Sequence, residues 1–400
     1  MTAPIRGLGR RCATTGTLPD ASRSGAATSS SLSTGKDPFV DLFSSAVLGD
    51  LVLSNRVTMA PLTRTRADAG DVPGDIVVEH YGQRASLGMI VTEGTYPTQE
   101  GKGYTGQPGI VTDEQVAGWK RVADEVHAKG GTIVMQVMHA GRVSHPDVTG
   151  TERIVAPSAV AIDGQLHVPS GKAAYPVPHA LTTEEVRQTV QDFVTASKRA
   201  VLEAGLDGVE LHSANGYLLH EFLSPVSNVR TDEYGGSPAA RARLGIEVAE
   251  AVSAAIGAGR VGIRISPMHN IQDVVETDLD DVTATYDALM DGLAPLGLAY
   301  MSVLHADPRG ELVQRLRRRF GQAVVLNSGF GTVTDLAEAK DLVENGHADA
   351  VAVGRMAIAN PDLVARWERE TELNEPNPAT FYADGATGYT DYPTLESVSR

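Results

Sequence analysis

The stretch AVVLNSGFGTVTDLAEAKDLVENGHADAVAVG (residues 323–354) contains one full copy of the pattern that decides the fold. It begins with a β-branched apolar run at 323–329, continues through a glycine-containing turn into a helical segment at 332–346, and ends in a second apolar run at 350–354. Apolar runs without polar alternation are typical of parallel strands that are buried on both faces, with helices as crossovers. The stretch therefore predicts a strand–helix–strand unit of a parallel sheet.

The same order of strand, turn and helix recurs from Asp37 onward. The other apolar runs are RVTMAP (56–61), MIVTEG (89–94), TIVMQVMH (132–139), GVELH (208–212), VGIRIS (261–266) and YMSVL (300–304), and further helices are predicted at 113–129, 182–204 and 360–370. Eight such units in one chain predict an α/β protein with a single (β/α)8 TIM barrel. An open doubly wound sheet ranks second, because no glycine-rich turn directly follows the first strand. The long segment 140–181, between strand three and its helix, is predicted to form a lid insertion.

Composition indicates an ordinary globular protein and excludes several functional classes. Of the 400 residues, 42% are hydrophobic and 21% are charged, which is enough for a large core under a polar surface. No run of about 18 apolar residues is present, so no membrane span is predicted. The formal charge of −16 disfavours nucleic acid as a partner. The single cysteine, Cys12, excludes disulfide frameworks, Cys-based zinc sites and iron–sulfur clusters.

Residues 1–36 differ in kind from the rest of the chain. They contain five basic residues and one acid, Asp20, a local charge of +4, so the remainder carries −20. Because this segment is rich in Ser, Thr, Ala and Gly and has no periodic apolar face, we expect a disordered extension before one barrel domain at 37–400. A solvated tail or a misassigned start is the preferred interpretation and implies a cytoplasmic protein. The alternative is an organelle transit peptide.

Polar residues are concentrated where the strands of such a barrel end. The active site of a (β/α)8 barrel lies at the C-terminal ends of its strands, so ligand-binding residues are expected there. The residues at these positions are Pro61, Thr63, Gln136, His139, His212, Asn215, Tyr217, Arg264, Asn327, Gly329, Gly354 and Arg355. Packing or a backbone hydrogen bond explains each of them alone, but their convergence on one end of the barrel predicts a binding site.

Two glycine-containing turns near the end of the domain predict a phosphate site. Ser328-Gly329-Phe330-Gly331 precedes a helix that we expect to begin near Thr332, and Gly354-Arg355 precedes another expected near Ala359. Loops seven and eight of a barrel commonly bind phosphate through backbone amides, a helix N-terminus and an arginine. The alternative is that these glycines only form turns at helix entries.

The segment HSANGYLLHEFLSP (212–225) carries the most chemistry. His212 and Asn215 lie three residues apart just past a strand, so both can donate hydrogen bonds to one oxygen, and Tyr217 follows as a candidate acid. Two donors on a carbonyl oxygen withdraw electron density from a conjugated C=C bond, and a phenol can then protonate the carbon. His220, on the helix that follows, is interpreted as a packing residue.

Several motifs occur in a fixed order between about Asp37 and the C-terminus. They are NRVTMAPLTRTRA (55–67), MQVMHAGRVSH (135–145), GVELHSANGYLLHEFLSPVSNVRTDEYGGS (208–237), VGIRISP (261–267), AVAVGRMAIANPDLVARW (350–367) and GYTDYP (388–393). Together they resemble the old yellow enzyme family of FMN-dependent ene-reductases. The resemblance implies a single TIM barrel with non-covalent FMN at its C-terminal mouth and NAD(P)H as the reductant.

The resemblance also implies roles for individual residues. FMN would be bound by Pro61 and Gly94 beside the ring, Thr63 at O4, Gln136 at the pyrimidine edge, Arg264 near N1, and Gly329, Gly354 and Arg355 at the phosphate. His212 and Asn215 would bind the substrate carbonyl oxygen, and Tyr217 would be the proton donor. Tyr104, Met138 and Tyr389 would line the substrate pocket. Many members have Trp in place of Met138 and Ala in place of Gly94, so a wider pocket is predicted.

The implied reaction is a ping-pong exchange in one pocket. NAD(P)H reduces FMN and leaves, and an α,β-unsaturated carbonyl compound then receives hydride from flavin N5 at Cβ and a proton from Tyr217 at Cα. Nitroalkenes, maleimides and nitrate esters are further candidate substrates. The partners implied are small molecules, with neither nucleic acid nor membrane, and the protein would be a monomer or a homodimer.

Two other functions stay open at this point. A barrel isomerase or aldolase acting on a phosphorylated substrate without flavin would need a catalytic Lys or Glu at a strand end. Glu93 and Glu210 are available, although neither explains Gln136 together with Arg264. A flavin-binding sensor or scaffold is the third reading, but mere binding needs no proton donor such as Tyr217.

Overall fold

The computed structural model describes residues 40–398, so the extension predicted at 1–36 lies outside the described residues. The strands are β1 (Ala46–Leu48), β2 (Leu51–Leu53), β3 (Val57–Met59), β4 (Met89–Val91), β5 (Ile133–Val137), β6 (Val155–Ala156), β7 (Gln165–Val168), β8 (Gly171–Ala174), β9 (His179–Ala180), β10 (Gly208–Ser213), β11 (Val261–Ile265), β12 (Tyr300–Leu304), β13 (Ala323–Asn327) and β14 (Ala350–Val353). The α-helices are α1 (Asp75–Gly82), α2 (Asp113–Ala128), α3 (Pro146–Thr149), α4 (Thr183–Lys198), α5 (Leu218–Leu223), α6 (Pro238–Ile256), α7 (Leu279–Leu293), α8 (Glu311–Phe320), α9 (Leu336–Glu344), α10 (Arg355–Ala359), α11 (Leu363–Glu368) and α12 (Leu395–Val398). Within this range no helix combines the length and apolar character that a membrane crossing requires.

A closed parallel barrel forms the centre of the described part of the chain. Its strands are neighbours in chain order, β3, β4, β5, β10, β11, β12, β13 and β14, and β14 pairs with β3 to close it. Every residue of β5 and of β11 is buried, because one strand face packs inside the barrel and the other against helices. This double burial explains why the apolar runs show no polar alternation, and the predicted (β/α)8 fold is confirmed.

The hairpin β1–β2 closes the N-terminal end of the barrel. Its strands pair antiparallel with Leu48 opposite Leu51, and these side chains pack on residues at the beginnings of barrel strands, among them Met89 and Ala350. The Asp50 N–H also donates to the Gly259 carbonyl at 2.7 Å. With that end filled, the C-terminal mouth is the end at which a ligand site can form.

The segment between β5 and α4 is structured. It contains α3, a parallel pair of β6 with β9, and an antiparallel hairpin of β7 with β8. The Arg142 guanidinium donates to the carbonyls of Gln272 and Asp273, and the Asp163 N–H donates to the Asp273 carboxylate at 2.6 Å. These bonds attach the segment to the loop that follows β11. Its action as a lid stays a prediction.

Two helix starts near the predicted phosphate site differ from expectation. The helix after β13 begins at Leu336 rather than near Thr332, because the Asp335 side chain accepts a hydrogen bond from the Glu338 N–H and caps it there. The helix after β14 begins at Arg355 itself rather than near Ala359. The loop after β13 is therefore longer than the sequence predicts.

Candidate active site

The turn after β10 brings the three predicted catalytic side chains together. His212 lies on β10 opposite Arg264 of β11. Asn215 and Gly216 both have left-handed backbone conformations, with φ of +57° and +80°. A Cβ at Gly216 would lie 2.9 Å from Cβ of Gln272, so this reversal requires glycine. Tyr217 then precedes α5 as its N-cap residue, and its ring centroid lies 5.1 Å from that of His212.

Polar atoms at this turn are buried without protein partners. Among the described residues, Nδ1 of His212 and Oδ1 of Asn215 have no hydrogen-bond partner, and His212 is only 3% exposed. Burial, together with the charge of Arg264, lowers the pKa of His212 well below its usual range. The imidazole is therefore neutral at neutral pH, with one ring nitrogen available as a donor. An unpaired buried polar atom costs about 1–3 kcal/mol, so a ligand group that pairs with it binds favourably. Oδ1 of Asn215 only accepts a hydrogen bond, so a bond from Asn215 to a carbonyl oxygen would come from its amide nitrogen.

The phenol of Tyr217 contacts a second predicted site residue. Its hydroxyl oxygen lies 2.7 Å from that of Tyr104. Burial raises the pKa of Tyr217, and hydrogen bonds from Tyr104 and Gln272 only partly oppose the rise. The phenol therefore stays protonated at neutral pH, as a proton donor must.

Met138 and Gly94 are also in direct contact. Met138 packs in an apolar cluster with Tyr217, and Tyr104 packs against the same cluster. A Cβ at Gly94 would lie 2.5 Å from Sδ of Met138, so the thioether occupies the space that a larger residue at position 94 would need. The two positions at which the chain departs from the pattern of many old yellow enzymes thus depend on each other.

A cavity lies where β3, β11, β13 and β14 end. Its lining includes five of the predicted cofactor residues, Pro61, Arg264, Gly329, Gly354 and Arg355. The other lining residues include four that the sequence did not single out as ligands, Leu62, Phe330, Thr332 and Thr334. The remaining predicted residues, Thr63, Gly94 and Gln136, follow or lie on the adjacent strands β3, β4 and β5.

A buried network orders the polar side chains inside the barrel. The Glu210 carboxylate accepts hydrogen bonds from Nε2 of Gln136 at 2.8 Å and from the Tyr300 hydroxyl at 3.0 Å. Arg264 donates through Nη1 to the Ser302 hydroxyl at 3.0 Å, whereas its Nε has no partner among the described residues. Burial raises the pKa of Glu210, and Arg264, Gln136 and Tyr300 oppose the rise. With the Gln136 amide nitrogen already engaged, its oxygen remains available to a ligand.

The loop after β13 offers unused backbone donors. Among the described residues, the N–H groups of residues 329–333 donate to no protein acceptor. Gly329 has a φ of +89°, and the Arg355 guanidinium donates to the carbonyl of Phe330, which joins this loop to the start of α10. Free amides beside an arginine suit an anionic group such as a phosphate.

The glutamates considered as alternative catalytic bases are already engaged. Oε2 of Glu93 accepts hydrogen bonds from the N–H groups of Arg64 and Thr65, both at 3.0 Å. Glu210 is bound by Gln136 and Tyr300 as described above. Oε1 of Glu93 has no partner among the described residues, but its other oxygen is held by two backbone N–H groups. Neither glutamate explains Gln136 together with Arg264, so the geometry favours the isomerase or aldolase alternative less than a flavin site.

Tyr389 does not join the other predicted substrate-pocket residues. It is completely buried, its ring stacks on His80 at 3.8 Å between centroids, and the guanidinium carbons of Arg64 and Arg66 lie 4.9 and 4.5 Å from its ring centroid. Apart from Tyr104 and Tyr217 themselves, the tyrosines that raise the pKa values of these two residues are Tyr175 and Tyr382, and Tyr389 is not among them. Tyr389 thus anchors the C-terminal segment to the loop after β3, and Tyr382, seven residues earlier, is the tyrosine of that segment near the proton donor.

Comparisons with known proteins agree with this geometry. A sequence profile of the NADH:flavin oxidoreductase / NADH oxidase family matches residues 41–374. A protein of Leishmania infantum named "Probable flavin mononucleotide-dependent alkene reductase" is 43% identical over 360 residues, which cover 87% of this chain and 96% of that protein. Among solved structures, morphinone reductase in complex with tetrahydroNAD superimposes with a TM-score of 0.83 at 41% identity, covering 90% of this chain and 99% of the other. The old yellow enzyme homologue from Zymomonas mobilis superimposes with a TM-score of 0.83 at 37% identity, covering 89% and 100%.

Proposed function

The chain belongs to the NADH:flavin oxidoreductase / NADH oxidase family, and from this premise we propose that it is an FMN-dependent ene-reductase that uses NAD(P)H to reduce activated C=C bonds of α,β-unsaturated carbonyl compounds. It is therefore an oxidoreductase, and the resemblance to old yellow enzymes is confirmed. The relative named as an alkene reductase supports the alkene substrate, and the tetrahydroNAD complex of morphinone reductase supports a nicotinamide reductant. The family match over residues 41–374 supports one catalytic domain at 37–400.

The residues around the cavity fit FMN. Arg355 and the free amides of residues 329–333 suit its phosphate, and they lie at one side of a cavity that Arg264 also lines. The unpartnered Nε of Arg264 and the free amide oxygen of Gln136 match the donor and acceptor pattern of a pyrimidine edge. Thr63, at the end of β3, would donate to the ring. When bound, FMN would supply the hydride chemistry that links NAD(P)H to the β-carbon of the substrate.

The side chains of the turn after β10 perform the acid catalysis. His212 and Asn215 donate hydrogen bonds to the substrate carbonyl oxygen, which draws electron density from the C=C bond and stabilises negative charge on that oxygen. Tyr217 donates its proton to the α-carbon. Tyr104, hydrogen-bonded to Tyr217, stabilises the phenolate that remains. Met138 and the apolar residues around it exclude water from this step.

The observation that carries the proposal is the convergence of His212, Asn215 and Tyr217 in one buried turn with unpartnered polar atoms. The test uses the purified protein loaded with FMN under anaerobic conditions. Its absorbance should bleach on addition of NADPH or NADH and return on addition of 2-cyclohexenone, with the saturated ketone as product. A protein that binds no FMN, or whose reduced form is not reoxidised by any enone, nitroalkene or maleimide, contradicts the proposal.

A further inference from the structure

His220, which sequence reasoning assigned to packing, is bonded to the backbone of the catalytic turn. It lies on α5 and is completely buried. Its Nδ1 accepts a hydrogen bond from the Gly216 N–H at 3.0 Å, and Gly216 stands between Asn215 and Tyr217. Because Nδ1 accepts this bond, the ring can donate only through Nε2. A histidine that only fills space in the core makes no such bond. His220 instead holds the backbone between Asn215 and Tyr217.

The other side of the His220 ring is held by a buried carboxylate and a buried phenol. Its Nε2 lies 3.3 Å from Oε1 of Glu276, and the Tyr286 hydroxyl lies 3.2 Å from both of these atoms. Oε2 of Glu276 accepts the Met268 N–H at 2.7 Å. The three side chains come from α5, the loop after β11 and α7, so they join three separate elements.

The loop after β11 contacts the same turn a second time. Nε2 of Gln272 donates to the Asn215 carbonyl at 3.0 Å, and Cβ of Gln272 packs against Gly216. The turn with two consecutive left-handed residues is therefore held on one side by His220 and on the other by Gln272. Left-handed Asn215 is unfavourable on its own, so neighbouring contacts are needed to maintain it.

We propose that His220, oriented by Glu276 and Tyr286, is a positioning residue that sets the locations of Asn215 and Tyr217 for proton delivery. The inference rests on the proposed function, because it concerns the step that Tyr217 performs. His220 touches neither substrate nor cofactor in this scheme, and it acts through the Gly216 peptide. A misplacement of reacting groups by about 1 Å can slow a reaction by about 100-fold, so loss of this bond should be visible in the rate.

The test replaces His220 by three residues that keep different parts of the network. His220→Asn places an amide oxygen near the position of Nδ1 and keeps an acceptor for Gly216, whereas His220→Gln extends toward Glu276, and His220→Leu keeps neither contact. Asn55→Ala is the matched control, since Asn55 is a buried side chain that bonds the Val57 N–H, the Gly88 N–H and the Ser86 carbonyl near the start of β3, at the opposite end of the barrel. Stopped-flow absorbance gives the rates of flavin reduction by NADPH and of reoxidation by 2-cyclohexenone, and thermal unfolding gives Tm.

We expect His220→Gln and His220→Leu to slow reoxidation about tenfold or more, with flavin reduction within twofold of the wild-type rate, and His220→Asn to restore reoxidation to within about threefold. In the Tyr217→Phe background the same substitutions should have less than a twofold effect, because the positioned acid is gone. If His220→Leu does not fold, the reoxidation rates of His220→Asn and His220→Gln still test the positioning role.

Equal reoxidation rates in His220→Asn, His220→Gln and His220→Leu would overturn the positioning role. It would also be overturned if both half-reactions slowed in proportion to the loss of Tm, as expected for Asn55→Ala. Failure of the wild-type protein to be reoxidised by any enone would instead overturn the proposed function. The two failures are therefore distinguishable.

Discussion

The two sides of the barrel mouth are built differently. On the reactive side, residues 212–217 are buried except for the half-buried Asn215, and side-chain hydrogen bonds from His220 and Gln272 link this turn to α5 and to the loop 268–276. The anchoring side, residues 328–334 with 354–356, leaves Phe330 49% exposed and the amides of residues 329–333 without protein acceptors. Proton transfer to one carbon needs fixed geometry, whereas a dianionic phosphate is attracted from many directions. The side-chain hydrogen bonds to the backbone are therefore concentrated where the proposed reaction needs a fixed geometry.

The electrostatic character differs in the same way. On the reactive side burial holds His212 neutral and keeps Tyr217 protonated, so the donors that we propose for the substrate are neutral. On the anchoring side the exposed loop is bonded to the Arg355 guanidinium. We therefore expect substitutions on the reactive side to change rates and those on the anchoring side to change cofactor affinity.

The largest effect is expected for Tyr217→Phe. Removing a general acid commonly slows a reaction by about 100-fold or more, so reoxidation by 2-cyclohexenone should slow by at least that factor. Flavin reduction by NADPH transfers no proton from Tyr217 and should stay within twofold. Stopped-flow absorbance measures both steps. An equal loss in the two half-reactions would show that Tyr217 is not the donor and would remove the distinction between the two sides.

Arg355→Met should weaken FMN binding by about 10- to 100-fold, because a hydrogen bond between charged groups contributes about 1.5–3 kcal/mol and each 1.4 kcal/mol is a factor of ten. Quenching of FMN fluorescence gives the dissociation constant. At saturating FMN the reoxidation rate should match the wild type. Arg315→Met, on the outer helix α8, is the control, since Arg315 pairs with Asp287 far from the cavity lining. Unchanged affinity in Arg355→Met would place the phosphate elsewhere.

His212→Ala should weaken the binding of phenolic ligands that mimic the substrate enolate by about tenfold, since a donor to an anionic oxygen is lost. The FMN content of the variant should stay the same, because the proposed partner of His212 is the substrate oxygen and not the cofactor. Difference absorbance on titration with p-chlorophenol measures the affinity. An unchanged phenol affinity would disprove the role of His212 as a carbonyl ligand.

The smallest predicted effect is a change in how the stability of the folded protein depends on pH, and it arises from Glu221. This buried residue of α5 accepts the Arg142 N–H at 2.9 Å, and burial raises its pKa from 4.5 to about 8. Between those pH values the folded state holds a proton that the unfolded state has lost, so stability falls as pH rises through this window. Glu221→Gln should therefore lose less Tm between pH 5 and 8.5 than the wild type, by a few degrees. Exposed Glu203→Gln is the control, and identical slopes in all three proteins would contradict the shift.

Much of the fold and of the site is predictable from local sequence. Buried strands are continuous apolar runs, so β12 at Tyr300–Leu304 matches its predicted bounds. The start of α9 was predicted too early, because the cap that sets it is the Asp335 side chain, and Thr332 is an equally good cap by residue type. The convergence of Arg264 and Arg355 on one cavity followed from their positions at strand ends, since a barrel gathers those ends at one mouth.

The amino-acid sequence alone determined the barrel, the polar residues of its mouth and the family, because strand periodicity and ordered motifs are properties of neighbouring positions. Only the tertiary structure decided which of those residues touch. It stacked Tyr389 on His80, engaged Glu210 with Gln136, and bonded His220 to the Gly216 N–H. Such contacts join distant segments, and their identity depends on side-chain packing in three dimensions, which no local pattern encodes.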